Sequence, residues 1–199
     1  MKAFIIEQKI TVMANQYRVF EADAAGKKGK QLAFAHQKRL TLKERFTFYD
    51  DDSKHHEVFS VQARKVIDLG ARYDVLDEYG KELGVLGKAF GSSLLRSTWN
   101  VFKPGDESKP LVIARERNAV LAVVRRLWEL LPIFGDIPFF VKYHFDFVRP
   151  NDGQRLASYT KTTTFRDHYR LEIDDELADA IDWRTLVALG VMMDALQSR

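Results

Sequence analysis

One phrase recurs five times along the chain and restricts it to a long antiparallel meander. It is a strand alternating aromatic and β-branched residues, then a polar turn with Asp or Gly, then an apolar strand ending in a cation. The first copy runs from Tyr17-Arg18-Val19 to Leu32-Ala33-Phe34 and Lys38, and the second from Phe46 through Asp50 to Val58-Phe59-Ser60-Val61 and Arg64. Tyr73 through Gly80 leads to Leu83 through Lys88 in the third, and Trp99-Asn100-Val101 leads to Leu111 through Arg115 in the fourth. Phe145-Asp146-Phe147 and Leu156 through Lys161 flank the turn Asn151-Asp152-Gly153 in the fifth. Starts at 17, 46, 73 and 99 are spaced by 29, 27 and 26 residues, and the step to 145 is 46 because an apolar helical segment intervenes. A period of this size with this alternation is one β-hairpin. Five hairpins, a strand around Phe4 to Val12 and another over Tyr169 to Ile173 predict about twelve strands. An open sheet that long would leave two unpaired edges, so the expectation is a closed antiparallel β-barrel.

Two helices complete the prediction. Ile181 through Leu196 reads as one helix with Asp182 as N-cap and Ile181 packing on Leu186 as a hydrophobic staple. Its middle is apolar on every side, so it belongs in a membrane or in a core. The uninterrupted run from Leu186 to Met193 is far shorter than the roughly 20 residues of a membrane span. A barrel of about twelve strands has a lumen wider than its own side chains fill, and this helix is the predicted filling. The second helix, Asn118 through Leu131, stops before Pro132 and has a narrow polar stripe with Arg125, Arg126 and Glu129 beside a wide apolar face carrying Trp128. That face packs on the barrel mouth or wall, or contacts a membrane or partner protein, which makes Arg125, Arg126 and Trp128 candidate partner-binding residues.

Composition narrows the function. At 199 residues, 46% hydrophobic and 30% charged, the chain is expected to form one domain over residues 1–199. It has no cysteine, which removes disulfide frameworks, thiolate zinc sites, iron–sulfur clusters and cysteine nucleophiles. The start, Met1 through Glu7, meets a charge after four apolar residues and has no signal-peptide core, so the expected location is cytoplasmic. The net charge of +3 conceals a polarity along the chain. Lys27, Lys28, Lys30, Lys38, Arg39, Lys43 and Arg45 face only Glu44, whereas Glu172, Asp174, Asp175, Glu176, Asp179 and Asp182 meet no cation in their stretch. The first block is a candidate anion-binding surface and the second a partner or cation site, unless both are solvated faces.

Catalytic signatures fail one by one. Gly26-Lys27-Lys28-Gly29-Lys30 has the wrong spacing for a phosphate loop and reads as a basic hairpin turn. Gly84, Gly87 and Gly91 miss the dinucleotide fingerprint and fit bulges or a close helix approach. His144 and Asp146 share a strand face, but no third metal or catalytic partner is evident. His55-His56 and Asp167-His168 fit turn and cap roles, and no hydrolase elbow or zinc-protease helix occurs. No enzyme activity, metal or cofactor is expected.

The strand array interrupted by a short helix and closed by an apolar C-terminal helix resembles the tubby-like barrel of the LURP-one-related proteins and the phospholipid scramblases. Phe4-Ile5-Ile6-Glu7-Gln8-Lys9 resembles the opening strand of the LURP-one-related family, and Tyr73-Asp74-Val75 through Gly80 to Lys88 resembles its internal hairpin. Leu171-Glu172-Ile173, then Asp182 and Val187 through Asp194, are similar to the strand and buried helix that end both families. The resemblance implies about twelve strands around a central helix. It also implies binding, since tubby-type relatives hold phosphoinositides on a basic face. Scramblases are calcium-responsive and palmitoylated on cysteines; this chain has no cysteine, and Asp174-Asp175-Glu176 with Asp179 lacks the alternating ligands and central Gly of a calcium loop.

The leading expectation is a non-enzymatic module that contacts anionic, phosphoinositide-like headgroups at the cytoplasmic membrane surface through Lys27, Lys28, Lys30, Lys38, Arg39, Lys43 and Arg45. It requires the block to cluster in space. The alternatives are a protein-interaction scaffold using Trp128 and the acidic stretch, and a carrier of a small apolar ligand or scramblase-like lipid protein. Nucleic acid is disfavoured because the aromatics alternate as strand cores do.

Overall fold

The computed structural model describes residues 1–10, 14–23, 25–38, 45–64, 72–89, 98–118, 144–163 and 168–197. Twelve antiparallel strands follow one another: β1 (Lys2–Ile10), β2 (Ala14–Ala22), β3 (Lys28–Lys38), β4 (Arg45–Tyr49), β5 (Glu57–Ala63) and β6 (Arg72–Asp77), then β7 (Glu82–Lys88), β8 (Thr98–Phe102), β9 (Val112–Glu116), β10 (His144–Val148), β11 (Arg155–Lys161) and β12 (His168–Ile173). Each strand pairs with its neighbours in sequence, and β1 closes on β12 with Phe4 opposite Leu171 and Ile6 opposite Tyr169. The five repeats are the hairpins β2–β3, β4–β5, β6–β7, β8–β9 and β10–β11. Two helices follow, α1 (Asp175–Ala180) and α2 (Trp183–Gln197). The short α1 was not anticipated. Of the mid-chain helix expected from Asn118, every residue after Asn118 lies outside the described residues.

The period-two pattern sends Ile6, Tyr17, Val19, Phe48, Phe59, Val75 and Phe147 into the lumen, where they are buried. There they meet α2, whose Leu186, Val187, Ala188, Leu189 and Val191 have no exposed surface. A helix buried all round needs a core on all sides, and the closed sheet supplies it. Close approach is made possible at two glycines. A Cβ on Gly84 of β7 would lie 2.8 Å from Cγ2 of Thr185, and one on Gly190 would lie 2.6 Å from the Tyr159 ring. Thr185 completes the first contact by donating its hydroxyl to the Leu83 carbonyl, at 3.2 Å.

A polar cluster sits in this apolar interior. Asp194 is buried on α2 and accepts hydrogen bonds from the hydroxyls of Tyr17, at 2.9 Å, and Tyr169, while Gln8 donates to the Tyr17 oxygen at 3.0 Å. Charge-assisted bonds of this kind offset the cost of burying the carboxylate and fix the depth and rotation of the helix. On the outside, apolar rings are covered by cations: Phe20 by Lys28, Phe34 by Arg18 and Phe102 by Arg72, at 4.3, 5.2 and 4.3 Å from the ring centroids.

Because the Tyr159 ring is stacked on Tyr169 at 4.8 Å, it has little room to yield. Gly190→Val should therefore destabilise the protein by roughly 2–3 kcal/mol in urea denaturation, despite the lower intrinsic helix propensity of glycine.

Candidate functional site

All five hairpins turn at the barrel end where α2 enters, and most residues of the other connections lie outside the described residues. The entry end is built around Trp183, the first residue of α2. Its ring stacks on Phe4, with centroids 5.1 Å apart and planes at 17°, and meets the Phe59 ring edge-on at 6.2 Å. Asp182 caps the helix by accepting from the Arg184 N–H at 2.9 Å, as its sequence position predicts. The Arg184 side chain then turns back as a clamp. Its Nε and Nη2 donate to the two Asp182 oxygens at 3.0 and 2.9 Å, and its Nη1 donates to the Val58 carbonyl at 3.3 Å and faces Glu78 at 3.5 Å. Burial by itself raises the Asp182 carboxyl, but the hydrogen bonds and positive charge of Arg184 outweigh it and hold Asp182 below its ordinary range. The same pairing raises Arg184.

Beside Trp183 a cleft of about 700 Å³ opens between the start of β1 and the β2–β3 hairpin. Phe4, Leu32 and Trp183 give it an apolar wall, and Lys2, Lys27, Lys28, Glu21 and Asp23 supply its charges. The turn chemistry positions Lys27. Asp23 accepts from the Lys27 N–H through its side chain at 2.7 Å, and Gly26 takes φ +79°, a left-handed conformation that favours glycine. A side chain at Gly26 would also meet the Arg170 guanidinium, 2.2 Å from the Cβ position. Lys28 is spent on Glu7, at 2.9 Å, and on the Phe20 ring. Among the described residues, no carboxylate lies within ion-pairing distance of the side chains of Lys2, Lys27 or Lys30. A second cleft of about 380 Å³ lies on the far side of Trp183 and Lys2, bounded by Lys81, Glu82, Pro104, Asp179 and Asp182.

The basic block of the sequence is divided by this geometry. Lys27, Lys28 and Lys30 sit at the entry end of β3, whereas Lys38 ends the same strand, about 33 Å away at ~3.3 Å per residue. Arg45, at that far end, reaches back to Glu57 at 2.5 Å, and Arg39 and Lys43 lie outside the described residues. Arg125, Arg126 and Trp128 also lie outside them. The acidic stretch serves mainly as structure. Glu172 pairs with Arg170, Asp174 caps α1, Glu176 pairs with Arg149 and Asp182 with Arg184, at 2.9, 3.0, 2.5 and 2.9 Å. Asp146, on the strand face it shares with His144, is gripped by Arg117 at 2.7 to 3.1 Å. Among the described residues no group of three or more His, Asp or Glu is arranged to hold a metal ion, and no helix is long and apolar enough to cross a membrane.

A family model described as LURP-one-related matches residues 32–194, more than three quarters of the chain. The chain belongs to the LURP-one-related family. Its twelve-stranded barrel around a buried terminal helix is the tubby-like architecture of that family, which is non-catalytic. A search of curated proteins finds no match to the chain. The cleft of this LURP-one-related barrel draws on residues that the charge pattern did not single out. Glu21 and Leu32 flank the hairpin of Lys27, Lys2 comes beside it through the β1–β2 pairing, and Trp183 joins them only when the terminal helix is enclosed. The one local signal was an aromatic, Trp183, directly after the predicted N-cap, where a helix buried further along must still meet the surface.

The Asp182–Arg184 clamp has a definite pH dependence. A carboxyl lowered in the folded state stabilises the protein above its unfolded value of about 3.9, and that contribution is lost as pH falls through the lower folded value. Asp182→Asn keeps a capping oxygen and loses the charge. The variant should be less stable than the parent at pH 7 in urea denaturation, with the gap closing as pH is taken below about 4.

Proposed function

We propose that this protein is a non-enzymatic binding module that takes the phosphate of an anionic lipid headgroup into the cleft beside Trp183, at the cytoplasmic face of a membrane. The observation that carries this reading is the pair of cations, Lys2 and Lys27, that line an apolar-walled cleft and, among the described residues, form no ion pair. An ammonium in water gains little from a distant anion, but one beside low-dielectric walls interacts more strongly with a phosphate that enters. Each cation near an anionic surface contributes about 1 kcal/mol, so two suffice for weak, salt-sensitive attachment. Exposed Lys30, on the adjoining strand, adds to the local field. The family's non-catalytic character agrees with a role in binding.

Co-sedimentation with neutral and with phosphoinositide-containing liposomes, at low and high salt, tests the reading. Pelleting is expected with anionic vesicles only and at low salt, and Lys2→Gln combined with Lys27→Gln should weaken it about tenfold or more. Absence of pelleting at low salt, or a double variant that pellets like the parent, would overturn it. Glu21 brings a carboxylate into the same cleft, so Glu21→Gln should strengthen anionic-vesicle binding by roughly two- to fivefold in the same assay.

A further inference from the structure

We propose that the cleft seats an apolar chain as well as a phosphate, and that its ligand class is a single-chain phosphorylated amphiphile. The inference rests on the phosphate reading above and adds the second half of the ligand. The first observation is size. At about 700 Å³ the open cleft is in the size range of small-molecule sites and larger than a phosphate alone needs.

The second observation is the division of the lining. The charged groups are those of Lys2 on β1 and of Glu21, Asp23, Lys27 and the Glu7-paired Lys28 around the hairpin, whereas the Phe4–Trp183 stack and Leu32 form an apolar wall continuous with the core. A headgroup alone would leave that wall in contact with water, and an alkyl chain would cover it. Below the wall the lumen is filled by α2, with Leu186 fully buried, so the chain lies along the stacked rings and does not run down the barrel axis.

The third observation is what surrounds the cleft. The turns at this end carry mixed charge: Asp50, Asp51 and Asp52 with Lys54, Glu78 with Lys81, and Asp106 and Glu107 with Lys103 and Lys109. The flank and body of α1 add Asp174, Asp175, Glu176 and Asp179. A cleft that holds Lys2 and Lys27 beside Glu21 and Asp23 presents separate positive and negative groups next to its apolar wall, a setting for one amphiphile with a compact headgroup.

Isothermal titration of the full chain with glycerol phosphate and with monoacylglycerol phosphates of increasing chain length, each below its micelle concentration, tests the inference. One-to-one binding is expected, with affinity rising up to about fourfold per methylene until the wall is covered, and then levelling. A neutral monoacylglycerol of matched length should bind about tenfold more weakly or worse. Lys2→Gln with Lys27→Gln should weaken every phosphorylated member alike, whereas Leu32→Asp should flatten the dependence on chain length. Affinity independent of chain length, with anionic-vesicle binding retained, would overturn the chain seat and leave the headgroup reading standing. A chain-length dependence untouched by Leu32→Asp would also overturn it, because the chain would then lie elsewhere. Failure of every phosphorylated ligand and of anionic vesicles would remove both readings.

Discussion

A closed sheet of twelve strands encloses more space than its own side chains fill, and the burial of α2 within it is the interaction on which the rest of this structure depends. Leu186 through Val191 contribute no exposed apolar surface, and Gly84 and Gly190 let the helix backbone come within contact of β7 and of the Tyr159 ring. Apolar burial alone is non-directional and would tolerate sliding or rotation of the helix. The two tyrosine hydroxyls on Asp194 supply the direction, because a buried carboxylate must stay where its donors are.

Fixing the far end of α2 also fixes the near end. With the helix anchored at Asp194, its first residue emerges at the entry mouth, where the Asp182–Arg184 clamp and the Phe4 and Phe59 rings hold Trp183 in one orientation. The acidic stretch before the helix is largely consumed in this construction, as caps for α1 and α2 and as partners for Arg149, Arg170 and Arg184. Among the described residues Lys2 and Lys27 form no ion pair, although Lys2 lies near enough to Asp182 to act on its carboxyl electrostatically. Lysines without an ion pair beside an apolar wall are a consequence of where those acids went.

The architecture was largely legible in the residues. Each hairpin announces itself within about thirty positions, because alternation and turn chemistry are properties of near neighbours, and all five phrases became strand pairs. The terminal helix was legible for the same reason, down to its Asp182 cap. The six-residue α1 escaped because its acids read as a charge run, although Asp174 followed by Asp175 and Glu176 is also a helix start. The candidate site was much less legible. A run of cations from Lys27 to Arg45 looks like one surface in a list, but an extended strand carries Lys28 and Lys38 to opposite ends of the barrel.

Strand number, hairpin order, closure and the apolar filling were determined by the sequence itself, since each follows from periodicity and from the need to hide edges and apolar surface. Which lysines share a site was decided only by the tertiary structure. Phe4 and Trp183 stand at opposite ends of the chain and stack because β1 pairs with β12 and α2 threads the lumen beside them. Lys2 reaches the hairpin of Lys27 by a nearer route, since β1 pairs with β2 and sets Ala3 opposite Ala22. No local pattern encodes the meeting of Trp183 with that corner, because it exists only once the barrel has closed around α2.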